Sequence, residues 1–178
     1  EESDSVIVLP HNDMDALERT FMKRDDIACA IIEPIAGNMG VVHPKKEFLA
    51  LLRAKLKASH ALLIFDEVIT GFRVAGYSCQ SLYGIQSDLT TFGKIIGGGF
   101  PLAALGGKKE YMQYLSPTGS VYHAGTHSGN PVSVCAGIAT LKQVQVPYFY
   151  TELDRKTNLL VVPIEECIQK NKVACCLQ

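Results

Sequence analysis

Two short, wholly apolar runs constrain the fold of this chain more than any other feature. Ala28-Cys29-Ala30-Ile31-Ile32 runs into Glu33, and Ala61-Leu62-Leu63-Ile64-Phe65 runs into Asp66-Glu67. Five apolar residues without alternation are too short for a typical helix and fit a strand covered on both faces. Between the runs, Phe48, Leu51, Leu52, Lys55 and Leu56 recur at three- and four-residue spacing, which predicts a helix over 45–58. Pro44 stands near its start, where a missing N–H costs little. Strand, helix, strand in that order is the unit of a parallel sheet.

The alternation continues along the chain. Val6–Leu9 reads as a strand stopped by Pro10, and Asn12 as the N-cap of a helix carrying Leu17, Phe21 and Met22 on one side. Leu89–Phe92 and Leu102–Leu105 read as further strands. Asn130-Pro131 opens a helix to about Val144, and Pro147 opens another to about Lys170, which Pro163 should kink or divide. The expected fold is α/β, a mainly parallel sheet flanked by helices. Residues 1–146 form one domain portion, and 147–178 a helical connection toward a further domain. The opening on Glu1 and the end on Leu177-Gln178 suggest a piece of a longer protein.

Composition then removes whole classes of function. With 17 Lys+Arg against 18 Asp+Glu, the chain lacks the basic excess that binding to nucleic acid requires. No apolar run approaches the ~20 residues of a membrane span. Glu1-Glu2-Ser3-Asp4 is acidic, unlike a signal or transit peptide. None of the six cysteines forms a Cys-x-x-Cys pair, which leaves them as buried or half-buried thiols of a reducing compartment. The five histidines lack metal-ligand spacing, so no metal is expected.

Sites in open α/β sheets gather at the carboxyl ends of strands. Three polar residues stand there at equal intervals of 28 residues: Asn38, Asp66 and Lys94. Lys94 lies between Phe92-Gly93 and Ile95-Ile96-Gly97-Gly98-Gly99, surroundings expected to desolvate an ammonium and favour a nucleophilic amine; a solvated surface lysine is the competing reading. Asp66 ends an apolar strand and needs a partner, either a local cap or ion pair or a cationic ligand atom. Gly125-Thr126-His127-Ser128-Gly129 precedes the helix at Pro131, where Thr126 and backbone N–H groups can hold a phosphate, or where Ser128 or Asn130 only caps. His123 is expected to pack or hydrogen-bond, and Arg73 to pair with a carboxylate. The run Leu62–Glu67 also fits an ATPase strand, but no Gly-Lys-Ser/Thr phosphate loop accompanies it.

Four ordered segments together resemble the class III aminotransferases of the fold-type I pyridoxal-phosphate (PLP) family. They are Ile32–Val42, Phe65–Arg73, Asp88–Gly99 and Ala124–Pro131, and the resemblance covers roughly residues 5–145. It implies that the chain is part of a large PLP-binding domain. Lys94 would carry the cofactor covalently and shuttle protons, Asp66 would pair with the pyridinium nitrogen, Val68 would pack on a ring face and Asn38 would approach the phenolic oxygen. Gly125 and Thr126 would bind the phosphate of a neighbouring subunit's cofactor, which implies a homodimer with shared sites acting on a small amino or aldehyde substrate.

Asn38, together with Ile69 where relatives of the ornithine and GABA type have Gln, resembles the aminomutase branch. That branch, using the pyridoxamine phosphate form in its cycle, isomerises glutamate-1-semialdehyde to 5-aminolevulinate for tetrapyrrole synthesis. An aminotransferase for ω-amino acids or amino sugars, or an inactive fragment acting only through a dimer interface, are the alternatives. His127 and the stretch Tyr77–Ser81 depart from the branch pattern, and the upstream phosphate loop is missing. The expected setting is the cytoplasm or a plastid, with weak or absent turnover by this chain alone.

Overall fold

The computed structural model describes residues 5–175 and 177. Its sheet has four strands in sequential order: β1 (Cys29–Ile32), β2 (Leu62–Glu67), β3 (Leu89–Phe92) and β4 (Ala104–Gly107). β1 and β3 flank β2 in parallel, Cys29 opposite Leu62 and Ile64 opposite Leu89, while β4 returns antiparallel along β3. The helices are α1 (Met14–Lys23), α2 (Lys46–Ala58), α3 (Cys79–Tyr83), α4 (Lys109–Met112), α5 (Pro131–Val144) and α6 (Phe149–Asn171). No helix among the described residues is long and apolar enough to cross a membrane.

The core sits where the two apolar runs meet the helical pattern between them. Phe48, Leu49, Leu52 and Leu56 of α2 and Leu17 of α1 bury against Leu63 and Phe65 of β2. Full burial of each such side chain stabilises by about 1.5–3 kcal/mol. β2 alternates strictly: Leu63, Phe65 and Glu67 face this core, and Leu62, Ile64 and Asp66 face the other side. The expectation of strands covered on both faces therefore fails, most plainly at the edge strand β1, where Ile31 is 64% exposed.

Several expectations shift. Val6–Leu9 forms no strand; Val8 is 87% exposed, and only Leu9 reaches the core. Asp13, not Asn12, caps α1, its carboxylate accepting from the Ala16 N–H at 2.8 Å. Asn12 instead ties α1 to the start of α2 by accepting from the Lys45 N–H at 2.7 Å. Met22 is exposed because it stands five residues after Leu17, off the buried stripe. The last strand lies two residues later than expected. α6 runs unbroken through Pro163, which removes one backbone bond from a 23-residue helix but does not divide it. α3 and α4, of five and four residues, are too short to show a period.

α5 does form over Pro131–Val144, capped by Asn130 Oδ1 on the Val132 and Ser133 N–H groups. It packs on the turn that follows β3 through two glycines. A side chain at Gly137 would strike the Ile96 carbonyl, and one at Gly98 the Thr140 hydroxyl and Ala136 carbonyl. Of the cysteines, Cys79 is buried and Cys29, Cys135, Cys167 and Cys175 are exposed and free, against the expectation of buried thiols; Cys176 lies outside the described residues.

Candidate active site

The strand ends bring three loops into contact. After β1, Glu33 Oε2 accepts from the Gly37 N–H at 3.0 Å, and Ala36 and Val42 exchange backbone bonds at 3.0 and 3.1 Å. This closes the 3-10 turn Gly37–Met39, on which Asn38 is exposed. A side chain at Gly37 would come within 2.8 Å of Ile69 Cδ1, so this loop lies directly on the one after β2. A side chain at Gly93 would in turn meet Val68 Cγ1 at 3.2 Å, so the loops after β2 and β3 also touch. The loops that carry Asn38, Asp66, Val68 and Lys94 therefore form one patch at the carboxyl edge of the sheet.

Asp66 is half-buried at the end of β2, opposite Thr91 in the register. Its Oδ1 accepts from the Val68 N–H at 3.0 Å and from the Thr91 hydroxyl at 3.3 Å. Its Oδ2 takes no hydrogen bond among the described residues. The local-cap reading of Asp66 thus accounts for one oxygen and leaves the other available. Lys94 opens the 3-10 turn Lys94–Gly97 in the left-handed region, at φ 47°. That backbone turns Ile96 and Gly97 inward and leaves Lys94 exposed, which overturns the expected desolvation. Among the described residues its amine has neither an ion pair nor a hydrogen bond.

Gly125 and Thr126 lie elsewhere, on an exposed turn closed by the Ser128 N–H on the Gly125 carbonyl at 2.9 Å. No described contact links them to the Asp66–Lys94 patch. His123 and His127 are exposed on the same loop. Arg73 pairs with no carboxylate among the described residues; its Nε donates to the Ile69 carbonyl at 2.8 Å.

Sequence reasoning missed two polar centres. Glu67 is fully buried one residue after Asp66 and on the opposite face. Its carboxylate accepts from the Ser78 hydroxyl, from the Cys79 N–H at 2.8 Å and from the Thr70 hydroxyl at 3.4 Å, fixing the loop beyond β2. Burial beside this carboxylate pushes the Cys79 thiol up to about 11. Asp88, before β3, binds Arg53 and Lys108 at 2.5 Å each and the Leu63 N–H at 2.8 Å. Burial alone would raise its pKa, but these donors outweigh it and bring it down to about 2. The strictly alternating burial of β2 gives Glu67 away once the strand is extended to it; nothing local signals the partners of Asp88.

The residues at these strand ends fit the ring and aldehyde of a pyridine aldehyde. An unengaged amine and a carboxylate with one free oxygen stand on adjacent parallel strand ends, the donor set such a ring requires. Residues 2–175 match the family described as Aminotransferase class-III. Glutamate-1-semialdehyde 2,1-aminomutase of Protochlamydia amoebophila (strain UWE25) is 54% identical over 97% of this chain and 40% of its own length. The enzyme of that name from Persephonella marina (strain DSM 14350 / EX-H1) is 57% identical over 84% and 35%. Among solved structures, an omega-transaminase from Sphaerobacter thermophilus superposes with a TM-score of 0.87 at 38% identity, covering 94% of this chain and 39% of that one. A structure described as a transaminase with PLP bound gives 0.72 at 36% identity, covering 79% and 34%. The chain thus spans about two fifths of the length of such relatives.

Proposed function

This chain belongs to the class III aminotransferase family, and on that premise we propose that its protein is a PLP-dependent aminomutase. The reaction is isomerisation of glutamate-1-semialdehyde to 5-aminolevulinate, in tetrapyrrole synthesis. The observation that carries the cofactor reading is the pairing of strand ends: Asp66 with one unspent oxygen beside β3, and an unengaged Lys94 two residues beyond it. Identity of 54–57% to relatives bearing the aminomutase name supports the choice of reaction.

Lys94 Nζ would hold the cofactor covalently. Asp66 would pair with its ring nitrogen, Val68 would cover a ring face and Asn38 would approach the phenolic oxygen. When bound, PLP supplies an electron sink for a carbanion next to nitrogen. The part of Asp66 is to keep a proton on the ring nitrogen, because an anion beside a basic nitrogen favours its charged form. The Thr91 hydroxyl and Val68 N–H hold that carboxylate in place through Oδ1. The part of Lys94, once released, is to take and return protons at Nζ.

Gly125 and Thr126, exposed and apart from this patch, are proposed to serve the phosphate of a partner subunit's cofactor in a homodimer. Residues 1–146 are proposed as part of the cofactor-binding domain and 147–178 as the connection beyond it. The cytoplasm is the proposed setting.

The test compares two fates of the amino group in an enzyme of the relatives' full length that carries these residues. Isomerisation of the semialdehyde should exceed net transfer to 2-oxoglutarate. The reverse ratio would favour a plain aminotransferase, the reading supported by the 0.87 superposition on an omega-transaminase. This chain alone should turn over weakly or not at all; robust 5-aminolevulinate formation by it would contradict that.

A further inference from the structure

The loop that follows Asp66 holds an aromatic residue in a backbone conformation it disfavours. Phe72 has a φ of 57°, in the left-handed region that residues with bulky side chains avoid. Two hydrogen bonds hold it there. Its N–H donates to the Tyr77 carbonyl at 2.9 Å within the loop. Its carbonyl accepts from the Tyr150 hydroxyl at 2.7 Å, a bond that spans 78 residues and comes from the first turn of α6. The ring of Tyr150 also lies beside Gly76, so this side chain straddles the loop. No residue of α6 is buried, and Phe149 and Tyr150 of its first turn are half-buried.

The held conformation has a consequence at the next strand. It seats the Phe72 ring on the Phe92 ring, with centroids 5.6 Å apart and planes at 53°. Gly71 presses on the same ring; a side chain there would meet Phe92 Cδ1 at 2.5 Å. Phe92 is the last residue of β3, and Lys94 leaves the strand two residues later with its own left-handed backbone. Two left-handed residues thus flank one aromatic contact.

We infer that Tyr150 is a positioning residue: by bonding the Phe72 carbonyl it locks the loop whose aromatic ring fixes Phe92, and so sets the path of the backbone at Lys94. Tyr150 makes no described contact with Asp66 or Lys94 and acts through Phe72. Burial raises its phenol above the ordinary value, so the O–H remains a donor across the neutral range. The functional meaning of this inference rests on the cofactor reading of Lys94; the mechanical coupling does not.

Tyr150→Phe keeps the ring and removes only the hydroxyl. Backbone hydrogen exchange should rise about tenfold in residues 70–74 and also in 93–98, and the PLP concentration that half-saturates borohydride fixation on Lys94 should rise about tenfold, as expected for one lost hydrogen bond. Phe72→Gly tests the same path from its other end. It suits the left-handed backbone but deletes the ring, so exchange in 93–98 should rise although Tyr150 is intact. Faster exchange confined to 70–74 in Tyr150→Phe, with 93–98 and the PLP midpoint unchanged, would overturn the inference. If the unaltered protein takes no pyridoxyl group on Lys94, the cofactor reading falls while the exchange comparison still decides the coupling.

Discussion

Two aspartates on neighbouring stretches of the same sheet are treated in opposite ways. Asp88, at the amino end of β3, is 2% exposed and satisfied by Arg53, Lys108 and a backbone N–H. Asp66, at the carboxyl end of β2, is half-buried and holds one oxygen in reserve. The first joins α2 to the sheet and to the residue just after β4. The second has its backbone partner two residues away and its other partner directly across the register. A carboxylate whose donors are all supplied by the fold serves stability; one left partly unsatisfied at a strand end is available to a ligand.

Single substitutions at the two centres should break this contrast into measurable parts. The largest effect belongs to Lys94, the amine associated with the Asp66 end. Lys94→Ala should abolish PLP fixation by borohydride while leaving the urea midpoint near that of the unaltered protein. Asp66→Asn should weaken PLP retention by about 10–100-fold, the scale of a lost charge-assisted hydrogen bond, again with little change in unfolding. Asp88→Asn should reverse that pattern. It should cost roughly 2–3 kcal/mol of stability in urea titration, since Arg53 and Lys108 lose a shared anion but reach water, and should leave PLP retention of the folded fraction alone.

Acid should separate the two centres further. The pKa of Asp88 in the folded chain is depressed to about 2, so its contribution is present above the ordinary carboxylate range and is lost as pH falls through that folded value. Stability measured from pH 5 down to pH 2 should therefore drop less steeply in Asp88→Asn than in the unaltered protein. The smallest effect expected is at the helix behind the Lys94 turn. Asn130→Ala should cost about 1 kcal/mol by removing the cap of α5, measurable as a shift in the urea midpoint.

The candidate centre at the strand ends was more legible in the sequence than the ion-paired centre around Asp88. Asp66 and Lys94 stood out as candidates because each follows a predicted strand, Asp66 the apolar run 61–65 and Lys94 the shorter Leu89–Phe92, and strand ends are where such sheets bind. The cap at Asn130 was legible because Pro131 and a helical pattern follow it directly. Asp88 was not, because Arg53 lies 35 residues upstream and Lys108 20 downstream, and pairing over such distances leaves no period in the chain. Glu67 escaped notice for a related reason: its partners Ser78 and Cys79 lie beyond an irregular loop. The apolar segment Val6–Leu9 misled because β-propensity makes a strand only where an edge accepts it, and this segment pairs with no described strand. Lys94 misled in its exposure, since the apolar residues beside it in sequence turn the other way once its backbone is left-handed.

The central claim is that Asp66 and Lys94 serve one ring, and peptide mapping after PLP addition and borohydride reduction tests it most directly. The account predicts a pyridoxyl group concentrated on Lys94 in the unaltered chain and strongly diminished there in Asp66→Asn. Label spread over exposed lysines such as Lys57 and Lys109, or label on Lys94 that is indifferent to Asp66, would contradict it.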